Sequence, residues 1–208
     1  MDFLSARNNM VDSQVRTNDV TLGELQRAMR TVARERLCAP SRAFAAYAEM
    51  ELEIAPGRWL MIPRDVAKLL QAAQPRAGER ALAIAGPYAA AVLSEMGLDV
   101  TALEPDGRAG AVVEQGLREY GVELVVGDPR TPPTGFDLIV SEAAVSEPPQ
   151  SWLDALKPGG RLAVVVRDGR VGKARLFLRD QGFASSRELF DATPPLLAGF
   201  ERQPTFEF

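Results

Sequence analysis

The chain has 208 residues, 46% of them hydrophobic, with 24 Lys and Arg set against 28 Asp and Glu and no His at all. That length suits one main domain with a small appendage, and a formal charge of −4 offers no basic surface for a nucleic-acid backbone or an anionic membrane. The missing His excludes His-dependent triads and the usual zinc hydrolase sites.

The first twenty residues lack the basic start and apolar run of a secretory signal, and no stretch of about 18 uncharged apolar residues suggests a membrane span. Cys38, the single Cys, allows no intrachain disulfide; a cytoplasmic location with a packed thiol is expected. Residues 5–20 are polar and mixed, as in an arm or a short irregular helix. Thr21 and Glu24 have capping-box spacing, and Leu25, Ala28, Met29 and Val32 share one face, which predicts a helix of about 15 residues ending before Pro40. A short helical piece is expected over 41–47. Alternating Met50, Leu52 and Ile54 then predict an extended segment stopped by Pro56-Gly57. Pro63 is placed to open a helix whose buried face is Val66, Leu69, Leu70 and Ala73.

From residue 80 the rhythm changes to short apolar runs separated by helices. Strands are expected at 80–85, 99–103, 122–126, 136–141 and 161–166. Helices are expected at 87–96 and 107–120, closed by Gly97 and Gly121, and at 149–156, closed by Lys157-Pro158-Gly159-Gly160. Near-continuous apolar strands such as Leu162–Val166 imply a sheet covered on both faces, hence an α/β class with a mostly parallel sheet. A helix at 172–180 is expected, followed by irregular chain in which Phe206 and Phe208 dock an extended segment on the domain. The division expected is a helical arm and cap over 1–76 and an α/β domain over 77–208.

Ligands of open α/β sheets sit at the carboxyl ends of strands. Glu104 closes one strand 18 residues after Gly86, a spacing that suits a carboxylate accepting from a ribose diol. Asp128 closes another and could face a base or sugar edge, whereas Glu142 reads as rim or solvated surface. The candidate cofactor residues are therefore Gly86, Glu104 and Asp128; no catalytic or metal-ligating residue is singled out. Ala85-Gly86-Pro87 leaves a single fully permissive backbone position, which is poor for wrapping a cofactor tail. Trp59 and Tyr88 read as aromatic packing, Met50 and Met61 as core filler, and Arg58 and Arg64 as surface arginines.

In this order the segments resemble the protein-L-isoaspartate O-methyltransferase family, and more closely a divergent bacterial branch of it. The likeness runs through Asn9–Thr17, Val32–Leu37, Ala81–Ile84 with Tyr88–Leu93, Gly127-Asp128, Phe136–Val140 and Leu156–Leu162. It implies a Rossmann-like methyltransferase fold and S-adenosylmethionine as cofactor. It also implies methyl transfer to the free carboxylate of an isoaspartyl residue in a damaged protein. Glu104 and Asp128 match the family's ribose and adenosine contacts. Three positions depart from its pattern: Ala83 stands where the first strand carries an acidic residue, Ala85-Gly86-Pro87 replaces a glycine-x-glycine-x-glycine loop, and Met61, which cannot donate a hydrogen bond, stands where a serine positions the substrate. The leading expectation is a catalytically degenerate relative acting as a binding or regulatory component toward a protein partner. The alternative is an active carboxyl methyltransferase with a modified pocket.

Overall fold

The computed structural model describes residues 2–180 and 183–202. They form a seven-stranded sheet and a two-stranded hairpin. The chain opens with helix α1 (Phe3–Met10), which widens into a π-helical turn over Val11–Val15 and tightens into a 3₁₀ turn at Arg16–Asn18. The irregular helix expected here is present. Its register changes bring Met10, Val11 and Val15 into the core.

Helix α2 is Gly23–Thr31, nine residues rather than about 15. Val32 turns extended, and the next residues wind as a 3₁₀ turn, Arg34–Leu37. The Thr21 side chain does not cap α2; instead the Thr21 and Leu22 amides donate to Gln71 Oε1. The helix stops early because Arg34 leaves the helical path for a fully buried position, donating from Nε to Ala46 O and from Nη2 to Met61 O.

A 3₁₀ turn at Pro40–Ala45 precedes β1 (Leu52–Ala55), which pairs antiparallel with β2 (Arg58–Leu60). Pro56-Gly57 is thus the turn of a hairpin, with Gly57 at φ +76°, a conformation that costs a Cβ-bearing residue about 1 kcal/mol or more. Helix α3 (Pro63–Ala73) starts on its proline as expected.

The parallel heart of the sheet is β3 (Arg80–Ile84), β4 (Asp99–Glu104), β5 (Glu123–Val126), β6 (Phe136–Ser141) and β7 (Leu156–Asp168), in spatial order β5-β4-β3-β6-β7. Helices α4 (Pro87–Glu95), α5 (Gly107–Glu119) and α6 (Gln150–Ala155) connect these strands. Order reverses between β3 and β6, so the site lies where those two strands end. Two apolar clusters cover the sheet, one of them running from Met10 through α2 and α3 to Ala174 and Leu176.

The far edge differs from expectation. Residues 172–180 are not a helix but part of β8 (Val171–Asp180), antiparallel to β7, and β9 (Phe183–Asp191) follows antiparallel to β8. Buried Ala174 and Leu176 alternate with more exposed neighbours along β8, a period of two that belongs to a strand with one covered face. Lys157-Pro158-Gly159-Gly160 lies within an irregular start of β7, whose pairing with β6 shifts register between Phe136 and Leu138. Phe206 and Phe208 lie outside the described residues. No helix among the described residues is long and apolar enough to cross a membrane.

Candidate functional site

Three strand ends converge at the switch point. β3 runs into Ala85, whose amide donates to Leu103 O at 2.8 Å and so continues the ladder with β4. Ala85, not Gly86, takes the left-handed conformation, at φ +48°, a strain of about 1–2 kcal/mol for a residue with a Cβ. Gly86 serves by its small size: a Cβ there would lie 3.3 Å from Glu142 Cγ. The chain comes close to this glycine with one of its own side chains.

Glu104, at the end of β4, is 2% exposed and is claimed by Arg58. Arg58 Nε donates to Glu104 Oε1 and Nη2 to Oε2, both at 2.8 Å. This two-pronged match of guanidinium and carboxylate is the strongest geometry available to the pair. The hairpin builds it, because Pro56-Gly57 reverses the chain and drops Arg58 over the β4 end. Arg58 is 5% exposed, so the surface position expected of it is overturned. Arg64 is half-buried and pairs with Glu49 and Asp65.

Glu142 is likewise not on a solvated rim; it is 1% exposed. Its Oε1 accepts from Ala89 N at 2.7 Å, in the first turn of α4, and its Oε2 accepts from Met61 N at 3.2 Å. Burial raises the Glu142 carboxyl above its ordinary value, opposed by the charge of Arg34 and by these two amides. Burial also lowers the Arg34 guanidinium, opposed first by Glu142. Arg34 stacks 4.6 Å from the centre of the Tyr88 ring, so Tyr88 is core packing, as expected. Met61 has no polar side chain, but its peptide links the two charges: its carbonyl accepts from Arg34 and its amide donates to Glu142.

Asp128 stands apart. It is exposed, and its Oδ1 accepts from Arg130 N at 2.9 Å in a local turn. The Glu104 and Gly86 positions therefore meet at the strand ends, while the Asp128 side chain belongs to its own loop. Met50 is 51% exposed and is not core, whereas Met61 is buried. Cys38 is a buried free thiol.

The cleft is closed from a third side by residues beyond β9. Ala144 N donates to Pro195 O, Leu197 N to Ala144 O and Ser146 N to Phe200 O, laying this segment over the end of β6. The space left between Arg58, Trp59, Met61, Glu142 and Leu196 is about 10 Å3, roughly that of one water. With these side chains in place, that gap admits no group of nucleoside size. Both Glu104 oxygens are already paired, and the Ala89 amide already has a carboxylate on it.

Arg34, Arg58 and Glu142 were not found as site residues by sequence reasoning. Their partners lie 46 positions or more away for Arg58 and Glu142, and no local pattern marks such pairs. A charged residue inside an otherwise apolar run, such as Arg58 before Trp59-Leu60-Met61-Ile62, was the one available hint.

A mostly parallel sheet with helices on both faces and its switch point between the first and fourth parallel strands in chain order defines a Rossmann-like methyltransferase fold. A solved Plasmodium falciparum protein assigned as a protein-L-isoaspartate O-methyltransferase, in complex with S-adenosyl-L-homocysteine, superposes with TM-score 0.79 at 15% identity, over 92% of this chain and 97% of that one; at that identity the likeness is one of fold. The family model for protein-L-isoaspartate(D-aspartate) O-methyltransferase matches residues 5–190. The protein of that name from Methylorubrum extorquens strain PA1 is 34% identical over 199 residues, covering 87% of this chain and 86% of its own. Its Rhodopseudomonas palustris strain BisB5 counterpart is 31% identical over 205 residues, covering 93% and 94%. The chain belongs to the protein-L-isoaspartate O-methyltransferase family.

Proposed function

We propose that this chain is a non-catalytic member of its family, a binding or regulatory component whose partner is a protein, located in the cytoplasm. The observation that carries the reading is the buried Arg58–Glu104 pair, with both Glu104 oxygens engaged at 2.8 Å. A ribose diol would have to displace a charge-assisted, two-bond contact and leave Arg58 buried without its counter-ion, a cost of about 3–5 kcal/mol. The strained Ala85, the apolar Met61 side chain and the cavity of about 10 Å3 point the same way.

A second reading has its own support, and the comparisons favour it over the first. Relatives at 31–34% identity over most of the chain carry the name of the enzyme, which supports S-adenosylmethionine-dependent methylation of isoaspartyl carboxylates through a modified pocket. That reaction is an in-line displacement needing orientation more than a protein base, so the missing His is no obstacle. In this reading Arg58 leaves Glu104 before cofactor enters.

Titration calorimetry with S-adenosylmethionine and S-adenosylhomocysteine, carried to millimolar concentrations on the folded chain, separates the two. The non-catalytic reading expects no saturable heat and no methyl incorporation into an isoaspartyl peptide. One-site binding that Glu104→Ala weakens, accompanied by methyl transfer, overturns it in favour of the enzyme.

A further inference from the structure

The first turn of α4 carries an arrangement that the Arg58–Glu104 pair does not account for. Helix N-termini present unpaired amides and a positive dipole end, which together favour an anion. Here a second amide and a buried guanidinium lie close to that end. The Met61 amide points at the same carboxylate as the Ala89 amide. Arg34, wholly buried, donates from Nη2 to the carbonyl of the same Met61 residue at 2.7 Å. Arg34 Nη1 is buried with no hydrogen-bond partner among the described residues. Both Glu142 oxygens act as acceptors, the arrangement of an ionised carboxylate.

We propose that Glu142 is an intramolecular ligand: its carboxylate occupies an anion site built by Ala89 N–H and Met61 N–H, with Arg34 held on the carbonyl of the same Met61 residue, and that site accepts a free small carboxylate once the side chain is removed. The inference deepens the reading that the cleft is closed by the chain's own side chains, and rests on it. Its basis is sequence distance as well as geometry. Glu142 reaches across from the end of β6 to an amide 53 positions earlier, and Gly86 has no Cβ where one would lie 3.3 Å from Glu142 Cγ. The glycine that the sequence offers to a cofactor is used to admit this side chain.

The test is chemical rescue of the full-length chain. Glu142→Ala should lower the Tm, and formate or acetate should raise it again saturably, within about 100 mM for a weak small ligand stabilising by mass action. Sodium chloride at matched ionic strength should not do so. Wild type and Glu142→Gln, whose sites remain filled by a side chain, should show no carboxylate-specific rise. If Glu142→Ala does not fold in chloride buffer, its recovery on refolding into formate is the readout, with Glu142→Gln as the folded control. Absence of any formate-specific rise or recovery in Glu142→Ala overturns the proposal, as does an equal rise in wild type. These outcomes are separate from calorimetry with S-adenosylmethionine: cofactor binding by wild type removes the closed-cleft reading, whereas failed rescue alone removes only the role given to Glu142.

Discussion

Arg58 and Glu104 illustrate how a buried charge pair is tied to its fold. Each is nearly inaccessible, so neither can fall back on water when its partner is lost. Removing one partner leaves an uncompensated buried charge, whereas removing both leaves only a packing defect. Arg58→Ala should therefore destabilise the chain by about 3–5 kcal/mol, and the double replacement Arg58→Met with Glu104→Met by clearly less. Urea denaturation of the wild type, both single variants and the double variant measures this. A loss in the double variant equal to the sum of the two single losses would mean that the pair contributes nothing as a pair.

At the scale of elements, α5 shows a terminus whose stability is set locally. Asp106 caps it, Oδ1 accepting from Arg108 N at 2.8 Å and from Ala109 N at 3.4 Å, and the Arg108 side chain folds back on the same carboxylate. The Arg108 contact, followed by these amide bonds, brings the Asp106 carboxyl down to about 2. A carboxyl with a depressed folded-state pKa binds fewer protons in the folded chain than in the unfolded one. Its contribution is therefore complete above the ordinary Asp value and is lost as pH falls from about 4 toward 2. Asp106→Ala should cost about 1 kcal/mol at neutral pH, and the difference from wild type should shrink across that acidic window. Denaturation midpoints at neutral pH and at the acidic end of the window test both size and sign.

The same scale explains which elements could be read in advance. The strands at 80–84, 99–104, 123–126 and 136–141 and the helices that follow the first two were legible because each has its own apolar period and its own stop: Gly97 and Gly121 take φ +87° and +68° at the ends of α4 and α5. The edge hairpin departs from the helix expected at 172–180, because alternation along this stretch suits a strand once a partner lies beside it. Pairing with β7, across eight registered positions from Asp168–Val171 to Arg161–Leu178, settled the matter. α2 is shorter than its apolar spacing implies for a related reason. Val32 continues the helical spacing, yet the chain departs there to bury Arg34, and no local propensity encodes that destination.

For the whole molecule, the N-terminal segments and the sheet share one apolar cluster, and the buried arginines and the carboxylates they face come from opposite sides of it. Arg34, Arg58 and Met61 come from the first 76 residues, Glu104 and Glu142 from the sheet. A chain of residues 77–208 alone would leave both carboxylates without their counter-charges and uncover the outer face of α4. It should show no cooperative thermal transition by circular dichroism, while the full chain melts in a single step. A sigmoidal melt of the shorter chain would mark the sheet as an independently folding domain.

What the sequence determined by itself was the class of fold, the ends of the parallel strands, and the placing of Gly86 and Glu104 at those ends. Those follow from local periodicity, from glycines at turns and from the place of acidic residues after apolar runs, all of which act over a few neighbouring residues. Only the tertiary structure decided what fills the site. Arg58 reaches Glu104 across 46 positions and Glu142 reaches Ala89 across 53, and the exposed Asp128 turns to its own loop. The physical reason is that a buried charge takes its partner from whatever the packed elements bring within hydrogen-bond distance, and that neighbourhood exists only once the hairpin, α4 and the end of β6 have come together.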